Sequence, residues 1–135
     1  MPRYIARTLS GDSVAIGGTG AEPVTLVNVW ATWCTSCREE FADLESLQQH
    51  YAAKGLRVVA VSVDGGNGSK VARFVKDQHA TFTVAHDPVG RIENAYQVVG
   101  VPSSFLVGHD GRLLWTHVGA LPKDAAQAVA QALGS

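Results

Sequence analysis

The sequence predicts an α/β domain whose central mixed β-sheet is covered by helices on both faces. Three observations lead to this prediction. Strand-like and helix-like segments alternate along the chain, two nearly continuous apolar runs suit strands buried on both faces, and a hairpin followed by a helix closes the sequence. With 135 residues, of which 46% are hydrophobic, residues 1–135 are expected to form a single domain.

Two strands are predicted before the cysteines. Ser13–Ile16 is a short apolar stretch that ends at the turn sequence GGTGAEP, which is typical of an edge strand or hairpin arm. Val24–Trp30 reads VTLVNVW, a β-branched run that indicates a buried central strand.

A long helix is predicted directly after the cysteines. The segment SCREEFADLESLQQHYAAKG favours one amphipathic helix, with Gly55 as its C-terminal cap. Its apolar residues recur at spacings of three and four and form one stripe: Phe41, Leu44, Leu47 and Tyr51.

The second half of the chain continues the alternation. We expect a strand at residues 56–63, a helix with Ser69 as its N-cap, a short strand at residues 82–85, and one or two helical turns at residues 91–96. Two further strands, SFLVG and LLWTHV, flank an Asp-Gly turn, and a helix follows Pro122. The predicted order is therefore β-β-α-β-α-β-α-β-β-α.

Charge and hydropathy limit the classes of function. The 11 basic and 12 acidic side chains nearly balance and form no basic run, so no nucleic-acid partner is expected. No apolar run approaches the roughly 20 residues that cross a bilayer, and MPRYIARTLSGDS lacks the apolar core of a secretory signal. Two interpretations stay open: a cytoplasmic protein, or an exported one whose signal or anchor is absent from this sequence.

The only two cysteines lie in WATWCTSC, as Cys34 and Cys37. Cys34 stands where a strand meets a helix, and unpaired N–H groups at a helix start lower a cysteine pKa from its usual value of about 8.5. Cys37 falls on the same helix face, can close a disulfide with Cys34 and should be less exposed. This spacing predicts that Cys34 attacks a partner's disulfide and that Cys37 resolves the product.

A cysteine pair with this spacing has two alternative roles, a structural disulfide and a metal site. A structural disulfide that closes four residues would stabilise the fold by only about 2 kcal/mol in the chain-entropy model. A pair of thiolates also suits Cu(I) or zinc, but tetrahedral zinc needs two further ligands and the five histidines show no ligand spacing. We therefore expect neither a metal nor a cofactor.

Three segments resemble the thioredoxin superfamily, and most closely its TlpA/ResA-like thiol-disulfide oxidoreductases: VNVWATWCTSCREEF, LRVVAVSVD and YQVVGVPSSFLVGHDGRLL. The resemblance extends over roughly residues 13–133. It implies a thioredoxin-like fold with an N-terminal β extension and an inserted αβ element.

The resemblance also implies a docking surface beside Cys34. In this family a cis proline faces the redox pair, and Pro102 stands at the matching position, so the backbone of Val101 would face an incoming extended polypeptide. Trp33 matches a tryptophan that offers an apolar face for docking, whereas Trp30 is expected to pack inside. An ordinary loop proline at residue 102 is the alternative.

Two departures from the thioredoxin pattern concern the buried side of the site. Asn28 occupies the position where many thioredoxins carry a buried acid, and the TlpA/ResA-like branch instead uses a glutamate that matches Glu40. Glu40 is therefore expected to take or relay the proton of Cys37, with a solvated glutamate as the alternative. Between the cysteines, Thr35-Ser36 adds a hydroxyl that could stabilise a thiolate, while Arg38 is expected to be solvated.

These features predict a thiol-disulfide oxidoreductase, acting as a reductase on protein disulfides. We expect a monomer. The resemblance implies that it works outside the cytoplasm, serves cytochrome c maturation or copper-site assembly, and takes electrons from a membrane thiol-transfer protein. The main alternative is a Cu(I) chaperone on the same fold, although such carriers usually have a Cys-x-x-x-Cys pair. A thiol peroxidase is a third alternative.

Overall fold

The computed structural model of the chain describes residues 1–134. Its seven strands are β1 Tyr4–Thr8, β2 Ser13–Ile16, β3 Val24–Trp30, β4 Leu56–Ser62, β5 Thr83–His86, β6 Ser103–Val107 and β7 Leu113–Val118. Its α-helices are α1 Thr35–Glu39, α2 Phe41–Tyr51, α3 Ser69–Asp77, α4 Arg91–Ala95 and α5 Ala125–Gly134.

All seven strands form one mixed sheet in the order β2-β1-β5-β4-β3-β6-β7. The central strand β3 pairs in parallel with β4 and antiparallel with β6. Strand β5 is inserted between β4 and β1, and it runs parallel to β4. The predicted α/β class and mixed sheet are confirmed.

The sheet has a buried core on each face because successive side chains of β3 point to opposite sides. Leu26 and Trp30 pack on the face covered by α2, α3 and α5, whereas Val27 and Val29 pack on the face covered by α4. The prediction that Trp30 lies inside is confirmed, since the side chain is fully buried. Helices therefore cover both faces, as the sequence predicts.

Strand β1 is absent from the sequence prediction. It pairs antiparallel with β2 on one side and with β5 on the other. Its burial alternates, with Tyr4 and Ala6 inside and Ile5 and Arg7 outside. Five residues of such a pattern are a weak local signal, and the strand depends on β5, which lies far away in the sequence. The β1–β2 hairpin forms the N-terminal β extension.

The long helix predicted after the cysteines is interrupted at Glu40. Helix α1 ends at Glu39 and α2 begins at Phe41. Glu40 itself has ψ −2°, well away from the helical value of about −42°. The cause lies in the tertiary structure, because the Glu40 carboxylate is turned into the protein. At the other end, Gly55 adopts φ +105° and closes the helical segment, as predicted.

The predicted N-cap of α3 is displaced by one residue. Gly68, not Ser69, occupies the cap position with φ +82°, and the Ser69 N–H is satisfied by Asn67 Oδ1 at 3.1 Å. A side chain at residue 68 would also collide with the ring of His86. Both the backbone conformation and the space at this position require glycine.

The tight turn between β6 and β7 gives a stability prediction. Gly111 has φ +84°, and a Cβ atom there would overlap the carbonyl of Gly18. We expect Gly111→Ala to lower the free energy of unfolding by about 3 kcal/mol, measured by urea denaturation of the oxidised protein. Gly11→Ala is the matched control, because Gly11 also has a positive φ, +96°, but open space at its Cβ position. It should cost about 1 kcal/mol, and equal losses in the two variants would contradict the prediction.

Candidate active site

The two cysteines lie where the central strand β3 passes into α1. Cys34 is the N-cap residue of α1, and Cys37 lies in its first turn. They are joined as a disulfide with their Cα atoms 5.2 Å apart. The site therefore lies just beyond the carboxyl end of a buried strand, at the start of α1.

The two sulfurs have different surroundings. The exposed fraction is 9% for Cys34 and zero for Cys37, so Cys37 is the less exposed of the two, as the sequence predicts. The backbone N–H of Cys37 donates to Cys34 Sγ at 3.2 Å, and the Ser36 hydroxyl lies 3.6 Å from the same sulfur. After reduction these donors would stabilise a thiolate on Cys34.

The loop before β6 brings a distant segment to Cys34. The Val101–Pro102 peptide bond is cis, and the carbonyl oxygen of Val101 lies 3.8 Å from Cys34 Sγ. Because the sulfur carries no proton in the disulfide, this approach is a contact rather than a hydrogen bond. The Pro102 carbonyl accepts the Gly119 N–H at 2.8 Å, which ties the loop to the segment after β7.

Trp33 is the most exposed of the residues that the sequence assigns to the site. Its side chain is 68% exposed, although it directly precedes a nearly buried cysteine. Trp33 can therefore offer an apolar contact immediately next to the more accessible sulfur.

Glu40 is buried, so the alternative of a solvated glutamate is wrong. Only 3% of it is exposed. Its Oε1 accepts a hydrogen bond from Asn28 Nδ2 at 2.6 Å, and its Oε2 accepts one from the Leu121 N–H at 2.9 Å. Burial raises the pKa of Glu40 above its ordinary value of 4.5, and the hydrogen bonds from Leu121 and Asn28 oppose only part of that effect.

Asn28 connects Glu40 to a residue that the sequence reasoning missed. Its Nδ2 also donates to Ser104 Oγ at 3.1 Å, because the antiparallel register of β3 and β6 places Asn28 opposite Ser104. Its Oδ1 is buried and has no hydrogen-bond partner among residues 1–134. The proximity of Ser104 to Pro102 in the sequence was the available signal, but only the register identifies the contact.

Arg38 and Asp64 hold the segment in front of Cys34. Arg38 is exposed, yet its guanidinium is not free in solvent: Nη1 donates to the Thr32 carbonyl at 2.7 Å. Asp64 accepts hydrogen bonds from both the backbone N–H and the hydroxyl of Thr32. Sequence reasoning missed Asp64, whose signal was its place two residues after the end of β4, the parallel neighbour of β3.

Two further features of the described chain bear on function. Within residues 1–134, no three or more His, Cys, Asp or Glu side chains converge in a way that could hold a metal ion. None of the described helices has both the length and the apolar character that crossing a membrane requires.

Comparison with known proteins finds similarity to proteins named thiol-disulfide oxidoreductases. A family model described as Redoxin matches residues 7–133. The thiol-disulfide oxidoreductase ResA of Oceanobacillus iheyensis is 33% identical over 99 residues, which are 73% of this chain and 51% of that protein. The thioredoxin-like protein YneN of Bacillus subtilis is 35% identical over 124 residues, covering 90% of this chain and 71% of YneN. The chain thus spans about half the length of the first relative.

Solved structures agree with this grouping. A crystal structure of a Chlorobium tepidum protein, assigned as the thiol:disulfide interchange protein DsbE, has a TM-score of 0.89 and 35% sequence identity, and the match covers 98% of this chain and 94% of that one. StoA from Bacillus subtilis has a TM-score of 0.80 at 21% identity, with 95% and 96% of the two chains covered, and shares the fold.

Proposed function

The chain belongs to the Redoxin family, in the TlpA/ResA-like branch of the thioredoxin superfamily, and from that premise we propose that it is a thiol-disulfide oxidoreductase that reduces disulfides in protein substrates. One observation carries the proposal above all. The sulfur of Cys34 receives a backbone N–H at a helix start and contacts the Val101 backbone, while the second sulfur is buried behind it.

The reaction begins with the reduced protein. The Cys34 thiolate attacks one sulfur of the substrate disulfide, so that a mixed disulfide forms and the other substrate sulfur leaves as a thiolate. Cys37 then loses its proton and attacks Cys34 Sγ, which breaks the mixed disulfide. The substrate departs with both of its sulfurs reduced, and two electrons have passed from the cysteine pair, which is now the Cys34–Cys37 disulfide.

Glu40 is the base that we assign to the second step. It lies three positions after Cys37, and this spacing places the two side chains on the same side of the helical segment. Its raised pKa brings proton uptake closer to neutral pH than that of an exposed glutamate. Asn28 and the Leu121 N–H hold its two oxygens.

We expect the substrate to dock on the exposed side of the cysteine pair. An extended polypeptide can lie along the Val101–Pro102 backbone, because Pro102 lacks an N–H and the Val101 carbonyl already faces Cys34. The exposed ring of Trp33, the residue before Cys34, supplies an apolar contact. These two contacts would bind the backbone and the apolar surface of the substrate, which suits varied protein substrates.

We place this activity outside the cytoplasm. The proposed substrates are exported proteins whose cysteines must stay reduced for cytochrome c maturation or copper-site assembly, and the proposed electron donor is a membrane thiol-transfer protein. The support is the similarity to the ResA-like proteins. Trapping the Cys37→Ser variant with its partners in intact cells, followed by identification of the adducts, tests both proposals.

The reaction itself is tested by two measurements on the purified protein. We expect the reduced protein to reduce insulin disulfides catalytically with dithiothreitol as the terminal reductant. The equilibrium potential of the cysteine pair should be near that of thioredoxin, about −270 mV, rather than near that of the oxidant DsbA, about −120 mV. Absence of insulin reduction together with tight, chelator-resistant Cu(I) binding would instead support the copper-chaperone alternative.

A further inference from the structure

A groove lies beside Trp33. Its volume is about 380 Å³. Thr32 and Trp33 form one wall, and residues 64–71, which comprise the loop after β4 and the first residues of α3, form the other. Since Trp33 directly precedes Cys34, this groove is continuous with the surface on which a substrate disulfide would approach.

One carboxylate joins the two walls. Asp64 is only 6% exposed, yet its oxygens accept three hydrogen bonds: from the Thr32 N–H at 2.9 Å, the Thr32 hydroxyl at 2.5 Å and the Ser62 hydroxyl at 2.6 Å. Burial by itself would raise the pKa of Asp64, but the hydrogen bonds from Ser62 and Thr32 outweigh it and lower the pKa below the ordinary value. Asp64 therefore holds both walls together as a carboxylate at neutral pH.

Both ends of this connection are fixed to other parts of the protein. The Thr32 carbonyl accepts the Arg38 guanidinium at 2.7 Å, so the backbone N–H, the hydroxyl and the carbonyl of Thr32 are all engaged. On the opposite wall, the Asp64 carbonyl pairs with His86 Nε2 at 2.8 Å. One wall of the groove is thus held by α1, through Arg38, and the other by β5, through His86.

Cys34 does not depend on this connection. Its N–H donates to the Ala31 carbonyl at 3.2 Å, its own carbonyl accepts the Arg38 N–H at 3.2 Å, and its sulfur receives the Cys37 N–H. These contacts belong to the turn and helix that contain the cysteine. Loss of the Asp64 carboxylate should consequently disturb the groove while leaving the sulfur in place.

We propose that Asp64 is a positioning residue for substrate docking: its bidentate hold on Thr32 keeps the groove beside Cys34 in shape for the polypeptide segment that flanks the substrate's disulfide. The groove suits a peptide because its walls present hydroxyl, amide and glycine backbone groups next to one exposed indole ring. The inference rests on the proposed function and names a docking determinant for it.

The test compares a protein substrate with a small one. We expect Asp64→Ala and Thr32→Val to raise the KM for insulin by about tenfold with kcat within about twofold of the wild type, the scale expected when a charge-assisted hydrogen bond is lost. The rate at which Cys34 reacts with the small disulfide 5,5′-dithiobis(2-nitrobenzoate) should stay within about twofold of the wild-type rate. The pKa of the Cys34 thiol should stay within about a few tenths of a unit of the wild-type value. Thr32→Ser, which keeps both donors, should have a KM for insulin close to that of the wild type.

Glu45→Gln is the matched control for general damage. Glu45 also accepts both the backbone N–H and the hydroxyl of a threonine, Thr81, at 2.7 and 2.6 Å, but it joins α2 to the segment before β5. It should lower the urea midpoint as Asp64→Ala does without raising the KM for insulin. Equal loss toward both substrates, or unchanged kinetics in folded Asp64 and Thr32 variants, would overturn the inference alone. A wild-type protein that reduces no insulin would contradict the proposed function itself.

Discussion

Cys34→Ser should reduce insulin disulfide reduction to the uncatalysed background, a loss of more than about a thousandfold, because a serine hydroxyl is not ionised at neutral pH and the thiolate is the nucleophile. Cys34 is the one of the two cysteines that retains exposed surface, and its sulfur faces the Val101 backbone. Steady-state insulin turbidity and the reaction with a small disulfide both measure the effect. The fold should persist, since a four-residue disulfide contributes only about 2 kcal/mol in the chain-entropy model.

Cys37→Ser should fail at a different step. The attack by Cys34 continues, but no second thiol can release the substrate, so a mixed disulfide accumulates at one equivalent per protein. Mass spectrometry of the non-reduced adduct, and its disappearance with dithiothreitol, measure the result. The double variant Cys34→Ser/Cys37→Ser is the control and should form no adduct. An adduct through Cys37 in the Cys34→Ser variant would reverse the assigned roles.

Glu40→Gln should slow the release of the mixed disulfide by about a hundredfold, the usual contribution of a positioned general base. The initial attack by Cys34 should change little, because Glu40 is buried and its carboxylate contacts Asn28 and Leu121. Single-turnover kinetics separate the two steps. In the wild type, the rate of the release step should depend on the protonation of Glu40. This part of the pH dependence should be absent in Glu40→Gln. Equal slowing of both steps would contradict the assignment.

The same substitution should alter the pH dependence of stability in a direction that the raised pKa fixes. The folded state binds the Glu40 proton more tightly than the unfolded state, so this group's stabilising contribution is present at low pH. It is lost as the pH rises above 4.5 through the raised pKa. The free energy of unfolding of the wild type should therefore fall relative to that of Glu40→Gln over this window. Urea denaturation of the two oxidised proteins at several pH values measures the difference.

Glu39→Gln provides the control for both Glu40 experiments. Glu39 is the adjacent glutamate in the sequence, but it is exposed and lies in the last position of α1. The substitution removes the same charge without touching the buried network. The release step and the relative pH dependence of stability should both match those of the wild type. A comparable effect at Glu39 would mean that long-range charge, rather than the buried carboxylate, governs the chemistry.

Local patterns in the sequence were sufficient for most of the architecture. The run Val24–Trp30 matches β3 residue for residue, and Leu113–Val118 matches β7, because buried strands and short hairpins leave strong nearby signals in residue type and turn chemistry. The close pair Cys34 and Cys37 needed no structure for its identification, since both residues lie within one helical turn.

The environment of the cysteine pair, by contrast, depends on the tertiary structure. The sequence alone allows Glu40 to be either solvated or buried. In the structure it is buried, and it accepts hydrogen bonds from Asn28 on β3 and from Leu121 after β7. Ser104 reaches Asn28 only through the register of two antiparallel strands.

The sequence by itself determined the position of the cysteine pair and the strand that precedes it, because those signals are encoded within a few adjacent residues. The structure alone decided β1 and the hold of Asp64 on Thr32, two residues that lie 32 positions apart. Hydrogen bonds between distant segments depend on how the strands are ordered in the sheet. No local pattern contains that order.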